Sequence, residues 1–119
     1  MHLLQTYATR RPHGLSRPQL RRAIDYIHNH LDTDLSLDSL ATLARMSAHY
    51  FAQLFKQSTG FAPHQYIIRC RVERAKALLA RPELAIADIA YQTGFANQSH
   101  LNRHFKRLLG VTPGQWQQR

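Results

Sequence analysis

The fold of this 119-residue chain is decided by a stretch that occurs twice in related form. The later copy, at residues 84–116, reads LAIADIAYQTGFANQSHLNRHFKRLLGVTPGQW, and the earlier copy, at residues 35–66, reads LSLDSLATLARMSAHYFAQLFKQSTGFAPHQY. The copies align at an offset of 49 residues up to one inserted residue near Ala96, and at an offset of 50 after it. Duplicated units indicate a duplicated structure with a duplicated role.

Each copy has the pattern of a short helix, a turn, a second helix and a stop. Apolar residues recur at helical spacing and no segment alternates with a period of two, which predicts an all-α fold. Gly60 and Gly110 suit the left-handed position just past a helix end, and Pro63 and Pro113 suit the first turn of the next helix. We therefore predict two helix-turn-helix units, at about residues 35–58 and 84–109, an arrangement whose second helix enters the DNA major groove.

The remaining sequence indicates how the two units are connected. Apolar residues at helical spacing predict a connecting helix over about residues 63–80, which ends because the residue before Pro82 disfavours helix. A further helix is predicted after Ser16, whose spacing from Gln19 is that of a capping box. One domain is thus expected at residues 16–119, behind a leader at residues 1–15.

The charge of the chain points to a polyanionic partner. Sixteen lysines and arginines against seven acidic residues leave a net charge of +9. Residues 1–38 carry five cations and four anions, a net of +1, whereas residues 39–119 carry eleven and three, a net of +8. This excess favours nucleic acid or an anionic membrane surface as the partner. No apolar run exceeds four residues, so neither a membrane span nor a secretion signal is predicted, and a cytoplasmic location is expected.

The second helix of each unit has an outward face that suits DNA. Helical spacing assigns Leu37 and Leu40 to the inward face of the first unit, and Phe51 and Phe55 to the inward side of its second helix. The outward residues are then His49, Ala52, Gln53 and Lys56 in the first unit, and Gln98, Ser99, Asn102, Arg103 and Lys106, with Arg107 beside them, in the second. Arginine can grip guanine, asparagine and glutamine can grip adenine, and lysine neutralises phosphate. A merely solvated helix face is the alternative, but the duplication and the basic charge favour groove contact.

The later copy carries a specific family signature. Residues Ile86 to Ala90, Gly94-Phe95, Ser99 to Lys106 and Gly110 to Pro113 resemble the AraC/XylS family of bacterial transcription regulators, over about residues 16–119. The resemblance implies a seven-helix domain of two helix-turn-helix subdomains joined by a long helix. It also implies binding to adjacent major-groove segments of double-stranded DNA, usually to activate transcription, with RNA polymerase as a possible partner. By position, base contact transfers to His49, Ala52, Gln53, Gln98, Ser99, Asn102 and Arg103, and phosphate contact is expected from Lys56, Lys106 and Arg107.

Two positions depart from the family pattern. Ala52 offers only an apolar contact, for instance to a thymine methyl group. Arg45 stands where the family often has the turn glycine found here as Gly94, and a left-handed arginine costs roughly 1 kcal/mol. Arg45→Gly is therefore expected to raise the melting temperature. Family members are commonly longer, so we interpret Met1 to Thr9 as the end of an upstream sensing or dimerisation region.

Other classes of function have weaker support. Neither paired carboxylates nor a Ser/His/Asp arrangement nor a phosphate loop occurs, so no enzyme and no cofactor are predicted. His100 and His104 have the spacing of a zinc helix but lack the adjacent glutamate, and partly buried helix histidines are the favoured interpretation over a metal site. The lone Cys70 is interpreted as an ordinary small helix residue. A basic helical protein that binds membranes or RNA without sequence preference remains the second class.

Overall fold

The computed structural model describes residues 14–118, and the predicted Met1 to Thr9 region lies outside them. Within those residues the chain forms seven helices and no strand, which confirms the predicted all-α fold. The helices are α1 (Arg17–Asn29), α2 (Leu37–Leu43), α3 (Ala48–Thr59), α4 (Pro63–Leu78), α5 (Ile86–Gln92), α6 (Gln98–Leu109) and α7 (Pro113–Gln117). No helix in the described part of the chain is long and apolar enough to cross a membrane.

The helices belong to two compact units. The first unit contains residues 14–30 and 35–66, and the second contains residues 31–34 and 67–118. Helix α4 is shared, because Tyr66 belongs to the first unit and Ile67 to the second. Each unit holds one helix-turn-helix pair, α2 with α3 and α5 with α6.

The first unit packs α1, α2 and α3 around a buried aromatic pair. Phe51 and Phe55 of α3 are fully buried, with their ring centroids 5.6 Å apart. Helix α1 starts with the predicted capping box, since the Ser16 hydroxyl accepts from the Gln19 amide and the Gln19 side chain accepts from the Ser16 amide. Leu37 is exposed, contrary to the inward position that its spacing indicates, because it is the first residue of α2 and lies at the rim of the core.

The first unit also includes residues before the predicted boundary at residue 16. Leu15 is buried, and its amide donates a 2.9 Å hydrogen bond to the buried hydroxyl of Ser58 on α3. A methyl group on Gly14 would come within 2.7 Å of the same hydroxyl. The chain that enters α1 therefore packs directly on the second helix of the helix-turn-helix pair.

The second unit has a larger continuous core. It contains buried residues from α4, α5, the turn and α6: Ile68, Val72, Ala75, Leu79, Ile89, Ala90, Phe95, Leu101 and Phe105. Helix α4 ends at Leu78, and the amides of Ala80 and Arg81 then donate to carbonyl oxygens three residues back. The last turn is thereby tightened before Pro82.

The closing aromatic residues of the two copies pack in the same way. Tyr66 lies edge-on to Phe55 in the first unit, with ring centroids 5.4 Å apart. Trp116 lies edge-on to Phe105 in the second unit, at 6.2 Å. Tyr66 and Trp116 therefore pack against the buried phenylalanines of their own units, beside the helix stops. Those stops are made by Gly60 and Gly110, with φ angles of 86° and 84°.

Candidate nucleic-acid interface

The turn between the two helices of each pair is closed by an equivalent hydrogen bond in both units. In the first unit the Met46 amide donates to the Ala41 carbonyl at 3.1 Å, and in the second the Phe95 amide donates to the Ala90 carbonyl at 2.9 Å. These are six-to-one bonds of a Schellman motif, which require a left-handed residue just before the donor. That residue is Arg45 (φ 59°) in one unit and Gly94 (φ 89°) in the other.

The outward helices α3 and α6 begin at equivalent polar caps. The Ser47 hydroxyl accepts from the Tyr50 amide at 3.2 Å, and the Asn97 side chain accepts from the His100 amide at 2.9 Å. Such caps satisfy amides that would otherwise have no partner in the helix. The two N-terminal turns are thus held in place, and the predicted base-contacting residues begin there.

Helix α3 exposes the predicted face and buries the opposite one. Its core residues Phe51, Leu54 and Phe55 are buried. The predicted contact residues lie together on the other side: His49, Gln53 and Lys56 are exposed, and Ala52 is half-buried. Three polar side chains therefore flank one small apolar residue on this surface.

Helix α6 repeats the arrangement with more charge. Leu101 and Phe105, on the inner side of this helix, are fully buried. The outward residues are Gln98, Ser99, Arg103, Lys106 and Arg107, which are exposed, and Asn102, which is half-buried. The structure thus brings all six predicted residues of the second unit onto one helix surface, with three cations and no acidic residue on that helix.

The side chains of three predicted DNA-contacting cations have no partner among the residues that the structure describes. The side chains of Lys56, Arg103 and Lys106 make neither a hydrogen bond nor an ion pair with any residue between 14 and 118. Other cations of the basic region have structural partners, since Lys76 pairs with Glu73 at 3.3 Å and Arg81 with Glu83 at 3.0 Å. Each of the two predicted recognition helices therefore presents at least one cation that is available to an external anion.

Arg107 differs from those three cations. Its Nη2 lies 2.8 Å from Nδ1 of His104, whose Nε2 lies 3.2 Å from Nε2 of His100. Because a guanidinium only donates, Nδ1 of His104 accepts this bond. The interaction was missing from the sequence prediction, although the i, i+3 spacing of His104 and Arg107 could have indicated it. It connects the Arg107 guanidinium to a side chain one turn earlier on α6.

Comparison with known proteins shows which family the chain resembles. Residues 40–119 match a family described as a helix-turn-helix domain. The chain is 36% identical to the probable transcriptional regulator LumQ of Photobacterium leiognathi over 93 residues, which is 78% of this chain and 38% of LumQ. It is 31% identical to a putative AraC-like transcription regulator of Streptomyces lividans over 123 residues, covering 98% of this chain and 40% of that protein.

One similar solved structure is a DNA complex. It is the DNA-binding domain of AdpA, a global transcriptional factor, with a target DNA. The TM-score is 0.79 at 31% identity, and the match covers 83% of this chain and 89% of that chain. The present chain spans about two fifths of the length of the two regulators above. All three proteins are named for transcription or DNA binding and none as an enzyme. The chain belongs to the AraC/XylS family of transcription regulators and contains the family's DNA-binding domain.

Proposed function

We propose that the chain binds a specific double-stranded DNA sequence by placing α3 and α6 in adjacent segments of the major groove, and that it activates transcription. The observation that carries the proposal is the matched pair of outward helix faces, each with a cation that has no partner in the described part of the chain. An α-helix fits the width of the major groove, where each base pair presents a distinct pattern of donors and acceptors.

The residue types divide between base and phosphate contacts. On α6, Arg103 is suited to bidentate contact with guanine, and Asn102 to adenine. On α3, Gln53 is suited to adenine and Ala52 to a thymine methyl group. His49, Gln98 and Ser99 complete the proposed base-contacting set, while Lys56, Lys106 and Arg107 face phosphates. All of these residues are exposed or half-buried, which supports their being accessible to DNA.

Selection of binding sequences from random double-stranded DNA tests the proposal. The expected result is one enriched motif with two separate blocks, one for each helix. Competition with single-stranded RNA and with anionic phosphatidylserine vesicles should leave binding to that motif in place. If selection enriches no motif, or if vesicles compete as well as the DNA does, the chain is a nonspecific polyanion binder and the proposal is wrong.

Arg103→Ala is expected to reduce the preference at a single base position by about 1–3 kcal/mol, because a bidentate contact to guanine is lost. Competition titrations against each single-base variant of the selected motif measure this effect. Lys106→Ala, on the same helix, is the matched control, since loss of a phosphate contact should weaken all sequences alike and lower the salt slope by about one. An equal loss on every sequence for Arg103→Ala would assign Arg103 to phosphate instead.

Activation and the cellular site of action rest on the family resemblance. A regulator of this family acts in the cytoplasm on nucleoid DNA, and contact with RNA polymerase is one route to activation. The test places the selected motif upstream of a weak promoter and measures transcript with purified polymerase. Increased transcript supports activation, whereas reduced transcript indicates repression and leaves the DNA-binding proposal intact.

A further inference from the structure

The turn of the first unit contains a strained arginine. Arg45 has a φ angle of 59°, and it is the one non-glycine residue with positive φ in the described part of the chain. L-residues with a Cβ atom are disfavoured in this conformation, which glycine adopts freely and asparagine tolerates. A residue in such a conformation persists where another role outweighs the strain.

The second unit shows what the fold itself requires at this position. Gly94 makes the equivalent turn, but a Cβ there would collide with the Leu31 carbonyl oxygen and come within 2.7 Å of Arg71 Nε. Two independent features therefore require glycine at position 94: the left-handed backbone angle and the close approach of Leu31 and Arg71. At Arg45 the backbone angle favours glycine, and the six-to-one hydrogen bond that closes the turn is the same in both units. A glycine would therefore fit the first turn better than the arginine does.

The side chain of Arg45 does not compensate for this strain within the protein. It is exposed, and it makes neither a hydrogen bond nor an ion pair with any residue of the described range. Arg71 of the second unit is the contrast, because its guanidinium donates to the carbonyl oxygens of Leu31 and Thr33 at 3.1 and 2.7 Å. The guanidinium of Arg45 is left available to an anion outside the fold.

The position of Arg45 indicates which anion this is. It lies two residues before Ser47, the N-cap of α3, whose first turn carries His49. A helix about 10–12 Å wide fills a groove about 12 Å wide, so the chain that leads into its N-terminus passes a row of phosphates. We propose that Arg45 is a DNA phosphate contact that docks the first unit beside the base pairs read by α3. This inference rests on the proposed function.

Replacing Arg45 by glycine should make the protein more stable but weaken its binding to DNA, and this combination tests the proposal. Arg45→Gly should raise the melting temperature by several degrees, because the strain is relieved. The same variant should bind the selected DNA more weakly, with a salt slope smaller by about one. The ratio of its affinity to that of the parent should consequently change about threefold between 50 and 200 mM salt. Arg45→Lys keeps the charge and should keep the parent's salt slope. Arg45→Asn is uncharged and tolerates the angle, so its slope should fall by the same amount as that of Arg45→Gly.

A phosphate scan then locates the contact. Neutral methylphosphonates are placed one at a time along the selected DNA, and one position beside the α3 block should weaken the parent but not Arg45→Gly. The inference is overturned if Arg45→Gly binds with the parent's slope, or if every neutralised phosphate affects both proteins equally. Lys106→Ala serves as the reference. If it lowers the slope while Arg45→Gly does not, only the inference fails; if the parent selects no motif, the proposed function itself fails.

Discussion

Gly94→Ala is expected to destabilise the second unit by roughly 2–5 kcal/mol, which combines the strain of a left-handed alanine with the overpacking of its methyl group. Gly94 has a φ of 89°, and a Cβ would collide with the carbonyl oxygen of Leu31. That oxygen cannot move aside alone, because it accepts from Nε of Arg71 at 3.1 Å. The turn, the Leu31 carbonyl and the guanidinium would all have to shift together.

The environment of Arg71 explains why this shift is costly. Burial lowers the pKa of its guanidinium, an effect that the nearby Asp34 partly offsets. Arginine nevertheless stays protonated, and its two bonds to backbone oxygens satisfy a half-buried charge. Displacing it would leave that charge and the carbonyl groups of Leu31 and Thr33 without these bonds.

Urea unfolding monitored by tryptophan fluorescence measures the effect, since the single tryptophan, Trp116, lies in the second unit. Gly110→Ala is the matched control. It has a φ of 84° and open space around its Cβ position, so strain alone should cost about 1–2 kcal/mol. Equal losses for the two variants would show that the close approach of Leu31 and Arg71 contributes nothing.

The features that the sequence predicted well are those that depend on neighbours along the chain. The capping box at Ser16, the stops at Gly60 and Gly110 and the inward face of α3 follow from spacings of a few residues. The left-handed angle of Arg45, expected from its alignment with Gly94, is likewise present. Local rules of capping and periodicity suffice for these features.

The features that were missed depend on residues far apart in the chain. Arg71 bonds to Leu31 and Thr33 across 40 and 38 residues, and Leu15 bonds to Ser58 across 43. No periodicity connects such positions. The sequence therefore could not distinguish Arg71, which holds the turn of the second unit, from the other arginines of α4. The individual base contacts stay predictions, because a helix face alone does not determine which base each side chain meets.

Phe105→Ala is expected to cost about 3–5 kcal/mol, the usual effect of truncating a fully buried phenylalanine. Phe105 lies on the inner side of α6 and packs edge-on against Trp116, so its loss opens a cavity directly beneath the proposed recognition helix. Arg103 and Lys106 are carried by the same helix. The variant should therefore lose recognition of the DNA block read by α6 at temperatures where the parent still binds.

The equivalent position in the first unit provides the control. Phe55 is also fully buried and packs edge-on against Tyr66, so Phe55→Ala should impair recognition of the α3 block first. Phe105→Leu, which preserves most of the volume, should cost less than about 1.5 kcal/mol. Urea unfolding gives the stabilities, and binding to DNA with one block scrambled at a time gives the specificity. If both alanine variants lose the same block, the two helices do not read separate parts of the site, and the assignment of one block to each repeat is wrong.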